Sequence, residues 1–193
     1  MDNILFSEII SLPTNFGSFS AFAVKEGEKE HFVLIKGEIA NQDITLRIHS
    51  ECLTGDVFTS KRCDCYDQLR AAMEQISNQN GMIIYLRQEG RGIGLFNKIQ
   101  AYKLQEQGLD TVDANLELHL PIDNRDYQIA AEIIKKLNPK AITILTNNPD
   151  KIAQLKQFLN IEITQKQIQT TVNIHNKKYL ETKLKRMKHN LEF

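Results

Sequence analysis

The stretch GMIIYLRQEGRGIGLFNKIQAYKLQEQG, residues 81–108, decides how the chain is read. GMIIYL (81–86) is a short apolar run and predicts a buried strand. LFNKIQAYKLQEQG (95–108) predicts a helix, closed by Gly108. A strand therefore passes into a helix through a glycine-rich turn. Toward the N-terminus the character is different. FSAFAV (19–24), HFVLIKG (31–37) and DITLRIH (43–49) are β-rich runs separated by EGEKE and ANQ, and they predict an antiparallel meander. Toward the C-terminus strands and helices alternate. Leu69, Ala72, Met73 and Ile76 recur at helical spacing, placing a helix near 65–79. DYQIAAEIIKKL (126–137) predicts an amphipathic helix, AITILT (141–146) a buried strand and PDKIAQLKQFL (149–159) a helix with Pro in its first turn. IEITQKQI (161–168) predicts a strand, and a basic helix fills roughly 175–189. The expectation is an α+β fold in one domain spanning 1–193, mainly β over 1–60 and mixed α/β over 61–193.

Composition limits the function. The chain has 193 residues, 41% hydrophobic and 25% charged, so a folded core is expected and disorder is not. Lys and Arg number 24, and Asp and Glu also number 24. A neutral chain argues against a general nucleic-acid binder. It leaves room for a small anionic ligand met by a few placed cations. No apolar run is long enough for a bilayer, so no membrane partner is expected. MDNILFSEII lacks the pattern of a signal peptide, and the cytoplasm is the expected compartment. The basic stretch HNKKYLETKLKRMKH (175–189) reads as a solvated face rather than an RNA or membrane contact.

The three cysteines of the chain, Cys52, Cys63 and Cys65, fall in RIHSECLTGDVFTSKRCDCYDQL (47–69). An odd number in a reducing compartment suggests metal or catalysis before disulfides. The C-x10-C-x-C spacing leaves three possibilities. The trio holds a zinc with an open position, His49 closes a structural zinc site, or the thiols pack as small hydrophobes. Arg47, His49, Ser50, Glu51 and Arg62 crowd the same stretch.

Three further segments carry candidate chemistry. RQEGRGIGL (87–95) has glycines at 90, 92 and 94 that free backbone N–H groups for an anion at a helix N-terminus, with Arg87 and Arg91 adding charge. It also reads as a plain tight turn. LPIDNRDYQ (120–128) and LTNNPDK (145–151) place Asp123, Arg125 and Thr146 in loops before helices and Lys151 in the helical turn that follows. Helix capping accounts for the Asp and Asn residues there equally well, but strand ends in α/β sheets are also where ligands bind.

Taken together, R-x-H-S-E-C-L-T-G-D, R-C-D-C-x-x-Q-L, R-Q-E-G-R-G-I-G-L, D-x-R-D-Y and L-T-N-N-P resemble the GTP cyclohydrolase II family. The resemblance runs from about Leu46 to the C-terminus, including YLETK (179–183). It implies an enzyme of riboflavin synthesis that converts GTP to 2,5-diamino-6-ribosylamino-4(3H)-pyrimidinone 5′-phosphate, formate and pyrophosphate. It implies a catalytic zinc on Cys52, Cys63 and Cys65 whose water, with its pKa lowered to about 7, attacks C8 of guanine. His49 is then a pocket residue rather than a ligand. The resemblance also implies that Arg125 is a nucleophile toward the α-phosphate, that Asp123 is its proton acceptor, and that Tyr102 serves the hydrolytic steps. A guanidinium is a poor nucleophile unless a neighbour takes its proton, and a charge-stabilising Arg125 suits the residue type as well. GTP contacts carry over to Arg47, Ile48, His49, Ser50, Glu51, Gln68, Glu89, Gly90, Arg91, Thr111, Thr146 and Lys151. Mg²⁺ is expected on the triphosphate, and a homodimer is implied.

Three positions depart from the family pattern, each holding another residue where Gly is usual: Tyr66, His119 and Lys188. Tyr66, beside Cys65, is expected to reshape the pocket edge. A zinc deaminase would need H-x-E followed by P-C-x-x-C, which is absent. An inactive nucleotide-binding relative would be expected to have lost Asp123, Arg125, Tyr102 or a cysteine, and all are present.

Overall fold

The computed structural model describes residues 4–169 and 171–186. Their elements run β1 (Ile4–Phe6), β2 (Ile10–Thr14), β3 (Gly17–Glu26), β4 (Lys29–Lys36), β5 (Asp43–Ser50), α1 (Leu53–Asp56), α2 (Cys65–Ile76), β6 (Gly81–Leu86), α3 (Gly94–Glu106) and α4 (Thr111–Glu117). After these come α5 (Gln128–Leu137), β7 (Ala141–Leu145), α6 (Pro149–Phe158), β8 (Glu162–Lys166) and α7 (Lys177–Arg186). The strands form one eight-stranded sheet in the order β1-β3-β4-β6-β5-β7-β8, with β2 also pairing β3. This is the α+β class expected from the sequence.

One expectation about pairing is corrected. β3 and β4 form the predicted antiparallel hairpin, but β5 does not continue the meander. β6 inserts between them, antiparallel to β4 and parallel to β5. The burial of β5 gives the reason. Every residue from Ile44 to His49 is buried, so both faces of the strand need cover, which is the condition of a central parallel strand. β7 and β8 extend the parallel half.

The strand period of two then divides the core. Ile44, Leu46 and Ile48 join Met82, Ile84, Ile142 and Ile144 beneath α5 and α6, which contribute Ala130, Ile133, Ile134 and Leu155. On the opposite face a smaller cluster joins Phe19, Ile83 and Leu145 to Ala72, Met73 and Ile76 of α2. That second face is where Arg47 and His49 of β5 point.

Local signals explain the element ends. Asp110 caps α4 by accepting from Val112 N and Asp113 N. Asn148 caps α6, with Pro149 at its first position. α5 ends on Asn138 with φ 53°. The predicted basic helix is present as α7, while Lys188 and the rest of 187–189 lie outside the described residues. Among the described residues, no helix is long and apolar enough to cross a membrane.

Candidate active site

The chain order of the parallel strands creates the site. From β5 the chain crosses through α2 to β6 on one side; from β6 it returns past β5 to β7 on the other. Such a switch point opens a crevice at the carboxyl ends of the strands. Two contacts stitch this one. Arg47 Nη1 donates to Leu145 O at the end of β7 (2.9 Å), and Lys151 Nζ donates to Ile48 O (2.7 Å).

A cleft of about 1030 Å³ lies there. Every residue carried over from the family resemblance lines it except Ile48 and Asp123, whereas Arg62 and Arg87 lie outside it, paired with Glu106 and Glu51. Ile48 is fully buried in the core on the other face, and only its carbonyl reaches the site, holding Lys151. Asp123 stands behind Arg125. Its Oδ1 accepts from Arg125 Nε (2.8 Å) and its Oδ2 accepts from Arg125 Nη2, a bidentate pair.

The three cysteine sulfurs converge. Cys52 caps the start of α1, Cys63 precedes α2 and Cys65 opens it. Their Sγ atoms lie within 4.8 Å of one another. Gly55 makes room for this: a Cβ there would stand 2.8 Å from Cys63 Sγ and 3.1 Å from Cys52 Sγ. The proton is shared unevenly. Donation from Cys63 and Cys65, with Lys98 nearby, pulls the Cys52 thiol far below its ordinary range. The same bond to Cys52 pushes Cys63 up to about 11 and Cys65 well above its usual value. Three clustered soft donors suit a zinc ion.

His49 is not the fourth member. Its Nδ1 accepts from Arg47 Nη2 (3.3 Å) and its Nε2 donates to Asp56 Oδ1 (3.1 Å). Both nitrogens are occupied, and the ring stacks on Tyr85 at 5.5 Å. Burial, with Arg47 close by, lowers its pKa despite Asp56, consistent with a neutral imidazole.

The cations of the cleft are held in different ways. Burial, then Arg47 and Arg125, push Lys151 well below the ordinary lysine value. Burial alone would lower Arg125, but Tyr127 and Asp123 hold it above the usual guanidinium value. Burial would raise Asp123, yet Arg125 holds it below the usual carboxylate range. Among the described residues Arg47 Nε and Arg91 Nη1 are buried without a partner, so each keeps a donor for a ligand. Arg91 adopts φ 61° between Gly90 at 61° and Gly92 at 89°. A Cβ at Gly92 would meet Asn124 O at 2.7 Å, so glycine is required there.

Sequence reasoning missed the residues behind this first layer. Asp56 accepts from Cys52 N (2.9 Å) and Tyr85 OH (2.8 Å) as well as His49. Arg47 Nη2 donates to Gln68 Oε1, Gln68 Nε2 to Asp64 Oδ2, and Lys183 Nζ to Asp64 Oδ1, at 2.6, 2.7 and 2.8 Å. Lys98 Nζ donates to Glu89 Oε1 (2.8 Å) and Cys52 Sγ (3.1 Å). Asp56 ends the quoted motif H-S-E-C-L-T-G-D and Lys183 ends YLETK. Lys98 stands one turn before Tyr102 on α3, spacing that puts both on one face.

The expectation for Tyr66 is corrected. It does not line the cleft. It lies in a separate apolar groove with Phe16, Phe32, Leu34, Leu69 and Tyr85, because it follows Cys65 on α2 and so points off the cleft face. His119 takes φ 55° at the end of α4, a conformation that favours glycine.

With this geometry in place, comparison with known proteins is direct. The sequence profile described as GTP cyclohydrolase II matches residues 7–168. The chain belongs to the GTP cyclohydrolase II family. The match starts well before Leu46, so β2 to β5 belong to it, and it ends before α7. Relatives include the riboflavin biosynthesis protein RibBA of Bacillus mycoides (strain KBAB4), 50% identical over 185 residues. RibBA of Bacillus cytotoxicus is also 50% identical over 185 residues. Each alignment covers 93% of this chain and 46% of the relative; the chain spans about half the length of the curated relatives it matches. Among solved structures, RibBX, a two-domain 3,4-dihydroxy-2-butanone 4-phosphate synthase from A. baumannii, aligns with a TM-score of 0.47 at 15% identity. That alignment covers 84% of this chain and 40% of the other.

Proposed function

We propose that the chain is a zinc-dependent GTP cyclohydrolase II, releasing formate and pyrophosphate from GTP to leave the diaminopyrimidine 5′-phosphate. The observation that carries this is the placement of three cysteine sulfurs within 4.8 Å of one another in the same cleft as Arg125, Lys151 and Arg91. Soft metal ligands and phosphate-binding cations thus line one cavity. Membership of the family supports the same reading.

Cys52, Cys63 and Cys65 would hold the zinc. When bound, it supplies Lewis acidity and an activated water for opening the imidazole ring. The chain's own groups do the rest. Arg47, Arg91 and Lys151 would receive the triphosphate, with Mg²⁺ carried on it. Thr111 and Thr146 stand at helix and strand ends on the cleft wall. Ser50, Glu51, Gln68, Glu89 and Gly90 line the space for the guanine and ribose. Glu89 already accepts from Leu53 N and Gly90 N, so it fixes the two loops against each other as well. Tyr102 lies beside the thiols on α3.

Arg125 is held protonated and bidentate by Asp123, and Asp123 is a weak base in this pairing. Their resting state favours stabilisation of charge on the α-phosphate. A covalent role would need Asp123 to take the Arg125 proton as substrate binds. We place the protein in the cytoplasm as a homodimer, with no nucleic-acid or membrane partner.

The test is incubation of zinc-loaded protein with GTP and Mg²⁺, with formate, pyrophosphate and the pyrimidine product measured together. All three in equal amounts are expected. Intact GTP with zinc fully bound would refute the activity. Pyrophosphate release unchanged in Arg125→Ala would refute the role given to that residue.

A further inference from the structure

We propose that Lys98 is a positioning residue for the metal centre, an ammonium shared between Glu89 and the Cys52 thiolate that donates to the sulfur directly. The inference rests on reading the trio as a zinc site. Three thiolates around a divalent ion leave one net negative charge, and Cys52 and Cys63 are buried. A buried charge without a partner is costly. Lys98 is such a partner for the sulfur. It is 7% exposed, and its Nζ lies 3.1 Å from Cys52 Sγ.

The ammonium is held in place from a second side. Glu89 Oε1 accepts from Lys98 Nζ at 2.8 Å, while Glu89 Oε2 accepts from Leu53 N, the residue after Cys52. The glycine-rich loop, the cysteine loop and α3 therefore converge on one ammonium. Its N–H···S bond draws electron density from the Cys52 sulfur. That lowers the energy of the sulfur lone pairs, while the adjacent cation favours the deprotonated, metal-binding form of the thiol. Partners behind metal ligands commonly tune affinity and activity in this way. A role limited to tying α3 to the glycine loop would need the bond to Glu89 alone.

Cobalt reports on the sulfur directly. Wild type, Lys98→Arg, Lys98→Met and the double variant Lys98→Met/Glu89→Gln would be loaded with Co²⁺. The sulfur-to-cobalt charge-transfer band and the cobalt affinity, by chelator competition, would be recorded for each. The double variant avoids leaving Glu89 buried and unpaired. With Lys98→Met, alone or in the double variant, the band is expected to move to longer wavelength and affinity to fall about ten- to hundredfold. Lys98→Arg is expected to keep the wild-type band. An unshifted band and unchanged affinity in the folded double variant would overturn the inference. Failure of the wild type to take up cobalt would overturn it together with the metal reading. Cobalt uptake without formate release by the zinc enzyme would refute the proposed activity alone, and the band would still decide the role of Lys98.

Discussion

Asp56→Ala should be among the most damaging single changes that leave the cleft wall intact. The Asp56 carboxylate receives Cys52 N at 2.9 Å, His49 Nε2 at 3.1 Å and Tyr85 OH at 2.8 Å, and its side chain is 4% exposed. A hydrogen bond to a charged group contributes about 1.5–3 kcal/mol. Three at face value give about 4.5–9 kcal/mol, but Asp56 also borders the outer apolar groove, through which water can reach the orphaned donors. The expected loss is therefore about 3–5 kcal/mol, at the upper end of single substitutions. In a chain of this length that lowers Tm by roughly 6–20 °C. Asp56→Asn keeps one acceptor oxygen and should cost about 1–2 kcal/mol. Urea unfolding of the zinc-free protein is the assay, since bound metal would add its own stabilisation. A double-mutant cycle isolates one arm: Tyr85→Phe should cost about 1.5 kcal/mol in the wild type and close to nothing in Asp56→Ala. A loss under about 1 kcal/mol for Asp56→Ala, or an equal cost of Tyr85→Phe in both backgrounds, would refute the reasoning.

Gly55→Ala is expected to abolish stoichiometric zinc binding, measured by metal analysis after dialysis, because the new Cβ would sit 2.8 Å from Cys63 Sγ. Lys183→Met strands Asp64, whose side chain is 1% exposed, and should cost about 3–5 kcal/mol in denaturant unfolding, with Lys183→Met/Asp64→Asn recovering most of it. His31 carries a pH effect. Burial, with Lys29 and Arg87 nearby, lowers its pKa against the pull of Glu26. The unfolded chain therefore binds the proton first, and stability should fall as pH drops below about 6.5. His31→Gln should remove up to about 1.4 kcal/mol per pH unit from that slope, and an unchanged slope would contradict it. Tyr66→Ala should leave kcat and KM for GTP within about twofold, as expected of a surface site away from the machinery.

The elements that were legible in the sequence are those whose burial is one-sided or complete along the chain. α3, α5, α6, β6 and β7 fall within two residues of their predicted ends because apolar spacing and end signals agree there, and α2 starts as predicted but stops three residues early. β5 was found as a strand but misplaced, since alternation in the sequence does not tell which neighbour a strand pairs with. Its pairing depends on α2 covering the face that carries Arg47 and His49, and that cover is a tertiary fact. α4 went unseen because seven residues, TVDANLE, carry too short a period; only Asp110 marks its start. The site divides along the same line. The residues proposed to meet GTP lie in short motifs with a chemical signature, and those were named. Asp56 and Asp64 stand behind the cleft wall, and Lys98 and Lys183 line it without belonging to a motif read as ligand-binding. Each is an ordinary charged residue in sequence, and each becomes exceptional by being buried against a partner 7 to 119 positions away. Burial of that kind is costly unless the partner is present. The cleft residues are thus held by a second layer of charges whose positions depend on one another. Tuning of the thiol cluster and of Arg47 should accordingly be sensitive to changes in α3 and α7, which carry Lys98 and Lys183.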